Sequence, residues 1–168
     1  MAKACAKRLA IAMGLALCTQ ASAAPPKDTI VPLTADCIAA VSQAYEIHHD
    51  VLFAILLVEG GTVGKNSRAN DNGSYDIGPF QINTIHLDAI ANLGVSEAEL
   101  RNNGCVNAEV AAWHLNRVLT PQVLANVTDD ESYLRAIALY HSATPTFNKI
   151  YASKLRREFE RLYAGNAQ

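Results

Sequence analysis

The chain lacks a run of basic residues, and after its first two dozen positions it lacks any long apolar stretch. Without a basic block nothing tracks a polyphosphate backbone, so a nucleic-acid partner is not expected. Without about 20 consecutive apolar residues no segment of the body is long enough to cross a bilayer. Glycine-rich phosphate loops are also missing, because "GGTVGK" follows a helical pattern instead of joining strand to helix. His48, His49, His86, His114 and His141 are scattered without an H-E-x-x-H pair, and no serine sits in a G-x-S-x-G elbow. No metal and no cofactor is therefore expected. His48 and His49 read as a polar helix junction, and His114 as a partly buried core residue.

The first 23 residues have the layout of a cleavable export signal. Lys3, Lys7 and Arg8 precede the apolar "LAIAMGLAL", and Ala21-Ser22-Ala23 supplies the small residues of a processing site. Cys18 invites a lipoprotein reading, but Leu17 stands where a small residue is needed. Processing leaves about 145 residues, of which 24–34 read as a short linker and 35–164 as one domain large enough to bury a core. Export implies the periplasm. It also changes the charge: 14 basic against 16 acidic residues become 11 against 16, a net −5. Of four cysteines, Cys5 and Cys18 leave with the signal. Cys37 and Cys105, left in an oxidising compartment, most simply form one disulfide.

Helical spacing fills most of the domain. "TADCIAAVSQAYEI" offers Thr34 or Asp36 as a cap, and "DVLFAILLVE" is expected to start at an N-cap Asp50. Gly94 stops the helix of "TIHLDAIAN", and Ser96 with Glu99 has capping-box spacing. Asn107 is expected to open "NAEVAAWHLNRVL", Thr128 and Glu131 to form a second box, and "TFNKIYASKLRREFERLY" to be the last helix. Between Gly60 and Asn83 the chain turns polar and glycine-rich, which predicts a loop with a small hairpin around "SYDIGPFQI". A loop this long in a compact domain is more often functional than not. The expected fold is mainly α, one helical domain with a small β-hairpin beside a cleft.

Glu59 ends an apolar run, Phe53 to Val58, at the negative end of a helix. Desolvation and the helix terminus both favour the neutral acid and raise its pKa. A neutral carboxylic acid near pH 7 is what protonates a glycosidic oxygen. A glutamate that simply turns outward at the helix end fits the same pattern. The loop that follows supplies Asn70, Asp71, Asn72, Ser74, Asp76, Gln81 and Asn83 for sugar hydroxyls, with Tyr75 and Phe80 as ring platforms. A calcium loop fails: aligning Gly73 with the invariant glycine puts Arg68 first and Pro79 last.

Three segments together resemble a known family. "EGG" from Glu59, "NGSYDIGPFQIN" from Asn72 to Asn83, and "AIALYHSATPTFNKIYASKL" from Ala136 to Leu155 follow the order of the lytic transglycosylases with a lysozyme-like fold. The patterns of that family are E-S-G, G-L-M-Q-I and A-x-x-Y-N. "Cys105-Val106-Asn107" matches the C-x-N of its small periplasmic branch, which accompanies conjugation, type IV and type III secretion systems. The resemblance covers about Ala35 to Tyr163 and implies a lysozyme-like fold and a peptidoglycan substrate. It implies Glu59 as the acid/base, Gln81 lining the cleft, Tyr140 near the carboxyl, and Ser74 and Asp76 in the hairpin beside it. The implied product is a 1,6-anhydromuramyl end, and the implied partners are components of an envelope-spanning machine. Three positions depart from the pattern: Gly60 for serine, Pro79-Phe80 for Leu-Met with the apolar cleft wall kept, and His141 for asparagine. His141 could still hydrogen-bond substrate or Glu59. Two other functions fit: a hydrolysing lysozyme with Asp71 or Asp76 activating water, and a non-catalytic wall-binding component.

Overall fold

The apolar run that ends at Glu59 folds as the helix α2 (His49–Glu59), and four of its side chains, Val51, Leu52, Ala54 and Ile55, lie in the core. The computed structural model describes residues 29–165, so the expected export signal and the first five residues of the linker, 24–28, fall outside the described residues. α1 (Ala35–Tyr45) starts at Thr34, whose hydroxyl accepts from the Cys37 amide. A short antiparallel pair follows α2, β1 (Asp76–Ile77) with β2 (Ile82–Asn83), in the register Asp76 to Asn83. Then come a 3-10 turn at Thr84–His86, α3 (Leu87–Ala91), α4 (Glu97–Asn102), α5 (Gly104–Val118), α6 (Pro121–Leu124) and α7 (Asp130–Ile137). A second 3-10 turn, Ala138–Tyr140, leads to the long α8 (Pro145–Gly165). α1 packs on α5, while α2 and α7 pack on α8. The domain is mainly α, with one small sheet among the described residues, as the periodicity indicated.

The helix starts show where local pattern and tertiary structure part. The Ser96–Glu99 capping box is present as read. α2 instead starts two residues earlier than expected: the His48 ring nitrogen accepts from the Asp50 amide, and Asp50 lies inside the first turn. The box at Thr128 and Glu131 is displaced by one residue to Asp129 and Ser132, whose side chains reciprocally bind each other's amides. An aspartate is the stronger cap, and its lone pairs outcompete the threonine before it. α5 begins at Asn103, which accepts from Cys105 and Val106, and not at Asn107.

Asn107 has another task. Its fully buried amide donates to the Ile77 and Leu100 carbonyls and accepts from the Phe80 amide. One side chain thus pins both ends of the hairpin turn to α4 and α5. Such a buried, fully bonded amide fixes position more than it adds net stability.

Two glycines let the hairpin reach the end of α2. Gly60 has φ +61° and its amide donates to Leu56, the left-handed cap that stops the helix. At Gly61 a Cβ would collide with the Gly78 carbonyl oxygen and lie 2.5 Å from the Gln81 amide nitrogen. The Gly61 amide donates to the Pro79 carbonyl across that contact at 3.2 Å. "EGG" is therefore the joint that presses the polar hairpin against the carboxylate of Glu59.

Candidate active site

Glu59 is the last residue of α2, so its carboxyl projects from the helix end into a cleft of ≈ 320 Å³. The hairpin forms one wall through Asp76, Gln81, Ile82 and Asn83, and His114, Tyr140 and His141 form the other. Asn70, Ile85 and His86 complete the lining. Glu59 is partly buried, and desolvation pushes its pKa up to about 7, partly offset by a hydrogen bond from Tyr151. The Asp76 charge adds to the rise and Lys154 opposes it. Glu59 therefore holds its proton into the neutral range, and the outward-turned surface glutamate is excluded.

Tyr151 is the residue the sequence did not reveal. Its hydroxyl donates to Glu59 Oε1 at 2.6 Å, across 92 positions of chain. The His141 ring lies parallel on the Tyr151 ring, with centroids 4.8 Å apart. Burial and Lys154 hold His141 below the usual histidine range, so a neutral imidazole backs the tyrosine at pH 7. His141 thus bears on Glu59 through Tyr151. Because the Tyr151 bond favours the carboxylate, Tyr151→Phe is expected to raise the Glu59 pKa above about 7. A 13C-labelled carboxyl followed by NMR across pH checks this; a downward shift contradicts it.

The other expected site residues divide. Asp76 lines the cleft, with Oδ1 accepting from Asn83 Nδ2 at 2.7 Å and Oδ2 facing Ser67 Oγ at 3.5 Å. Gln81 lines it too, held at φ +50°, and its amide donates back to the Gly78 carbonyl at 2.7 Å. A left-handed non-glycine residue carries strain of about 1 kcal/mol, which such sites commonly store. Tyr140 is buried and donates to the Phe80 carbonyl at 2.8 Å, so it braces the hairpin while its ring edges the cleft.

Ser74 is engaged within the loop, donating to Asn72 and accepting from Asn70 and Asn83. Phe80 corrects an expectation: it is fully buried, and Pro79 beside it is buried too, so neither forms the cleft wall or a platform for sugar. Tyr75 donates to Glu97 instead of facing the cleft. Asp71 stands exposed on the loop and does not line the cleft.

His114 was expected in the core and stands on the cleft wall beside His86, ring centroids 4.6 Å apart. Burial lowers both pKa values, with His86 adding to the effect on His114 and Arg117 to that on His86. His114 Nε2 faces the Tyr140 carbonyl at 3.1 Å, which fixes the proton on that nitrogen.

The described residues thus define a mainly α, lysozyme-like domain with one partly buried carboxyl group in a polar cleft. The disulfide Cys37–Cys105 joins the first turns of α1 and α5. The chain is similar to the invasion protein IagB of Salmonella typhimurium, 26% identical over 143 residues, covering 80% of this chain and 81% of that protein. It is also similar to protein IpgF of Shigella flexneri, 34% identical over 85 residues, covering 51% of this chain and 56% of that one. No protein-family model matches the chain.

Proposed function

We propose that the protein is a peptidoglycan lytic transglycosylase acting in the periplasm, with Glu59 as its acid and its base. The observation that carries this reading is the Glu59 carboxyl, partly buried in the cleft and held by the Tyr151 hydroxyl, with its pKa raised toward neutrality by desolvation. Its proton passes to the oxygen linking N-acetylmuramic acid to N-acetylglucosamine, and the bond from that oxygen to the muramyl C1 breaks. The muramyl 6-hydroxyl oxygen then bonds to C1, and its proton returns to the Glu59 carboxylate. Atoms balance without water, and the product ends in a 1,6-anhydro ring. Asn70, Asn83 and Gln81 supply the amide donors and acceptors that hold the hydroxyl and acetamido groups of the glycan. The similarity to an invasion protein supports a role in opening the wall locally for an envelope-spanning machine.

A hydrolytic second reading has one observation in its favour. Asp76 lines the same cleft as Glu59 and its charge is felt there. It would serve as the second carboxylate that activates water. Asp76→Asn separates the two on purified sacculi. With a lone acid/base, turnover stays within about tenfold of the parent; a required second carboxylate costs on the order of a thousandfold.

A further inference from the structure

At the opposite end of α2 from Glu59, roughly 16 Å along an 11-residue helix, three metal-binding side chains converge. We propose that His48, His49 and Asp50 form a surface site for a d-block divalent cation of the zinc class, separate from the catalytic cleft. One ring nitrogen of His48, one of His49 and one carboxylate oxygen of Asp50 all lie within 4.8 Å of one another. His48 Nδ1 is 3.6 Å from Asp50 Oδ2, and His49 Nε2 is 3.2 Å from Asp50 Oδ1.

Four-coordinate zinc with bonds of about 2.0–2.2 Å sets neighbouring ligand atoms about 3.3–3.5 Å apart. The His49 Nε2 to Asp50 Oδ1 spacing is already near that value, and His48 Nδ1 stands slightly farther from the other carboxylate oxygen. Bringing both onto one ion needs only the two imidazoles, both largely exposed, to adjust their rotamers. Their rings are stacked at 4.6 Å, which keeps them on the same side of the helix start. Asp50 is less exposed and is steadied by the Tyr163 hydroxyl, 3.2 Å from Oδ2.

Two imidazole nitrogens and a carboxylate select zinc, nickel or copper over calcium or magnesium, which take oxygen cages. The helix N-terminus opposes a cation only weakly at an exposed position, and the Asp50 carboxylate supplies the compensating charge. Binding at His48 Nδ1 displaces its 3.3 Å bond from the Asp50 amide, the weaker partner for that lone pair. The motif escaped the sequence reading because two adjacent histidines do not share a helix face; the non-helical backbone of His48, φ −60° and ψ 132°, brings them together.

The test is zinc chloride titrated into untagged, chelator-treated protein by calorimetry, with melting followed in parallel. One equivalent is expected to bind with a dissociation constant on the order of micromolar, raising Tm by several degrees at a hundredfold excess over that constant. His49→Gln leaves the His48 cap in place and is expected to weaken binding about tenfold or more. His86→Gln/His114→Gln, which removes the histidine pair of the cleft, is expected to leave zinc binding unchanged. Undiminished binding in His49→Gln, loss of binding in the cleft variant, or no uptake below about 1 mM zinc overturns the proposal.

Discussion

Replacing Glu59 with glutamine is expected to abolish glycan cleavage and, at alkaline pH, to make the protein more stable. Glutamine keeps the shape and can still accept the Tyr151 hydroxyl, but it has no proton to give. Removing the one group that both protonates the leaving oxygen and receives the hydroxyl proton costs on the order of a thousandfold or more in turnover. The stability effect follows from the raised pKa. In the unfolded chain the carboxyl titrates at an ordinary 4.5, in the folded protein at about 7. The contribution of Glu59 to stability is therefore fully present below about pH 4.5 and is lost as pH rises through about 7, where the desolvated group must ionise. The loss amounts to at most about 3 kcal/mol.

Glu59→Gln escapes that cost, so its melting temperature at pH 8.5 is expected to exceed the parent's by several degrees, roughly 3 °C per kcal/mol. At pH 4 the two proteins are expected to melt together. Equal melting at both pH values would mean that Glu59 is not desolvated in the folded state, and full activity in the variant would remove it from the chemistry.

The second large effect concerns the disulfide. Cys37 lies in the first turn of α1 and Cys105 in the first turn of α5, 5.4 Å apart at Cα and 68 positions apart in sequence. A crosslink over a loop of that length restricts the unfolded chain by about 4 kcal/mol in the entropy model. Cys37→Ser/Cys105→Ser is therefore expected to lower Tm by about 10 °C or more, and a reducing agent to lower the parent to the same value. The native strap of the Val31 amide on the Asn102 carbonyl and the Gly104 amide on the Val31 carbonyl sits beside this bridge and is expected to persist. A melting temperature unmoved by either treatment would show that the bridge does not constrain the chain.

Much of the frame was legible because its signals are local. Apolar positions at helical spacing, the Ser96 box, the Thr34 cap and the glycine stops each depend on neighbours within a turn or two. Glu59 was legible for the same reason, since its apolar run and helix end lie in one stretch. The failures arise where a distant partner decides. Tyr151 looks like any aromatic of an amphipathic helix until α8 packs on α2 and brings its hydroxyl to Glu59. Phe80 sits in a polar loop, which suggests exposure, yet Asn107 and Tyr140 draw its backbone inward and bury its ring. The cap at His48 was missed because histidine is not among the usual cap residues, and its ring nitrogen accepts only in the neutral form.

The proposed lone acid/base stands or falls on the products. Mass spectrometry of the soluble fragments released from purified sacculi distinguishes the two outcomes, because hydrolysis adds a water to each cut and transglycosylation adds none. The expected fragments carry 1,6-anhydromuramyl ends and disappear with Glu59→Gln. Fragments ending in reducing muramic acid would contradict the lone acid/base and give Asp76 the second catalytic role.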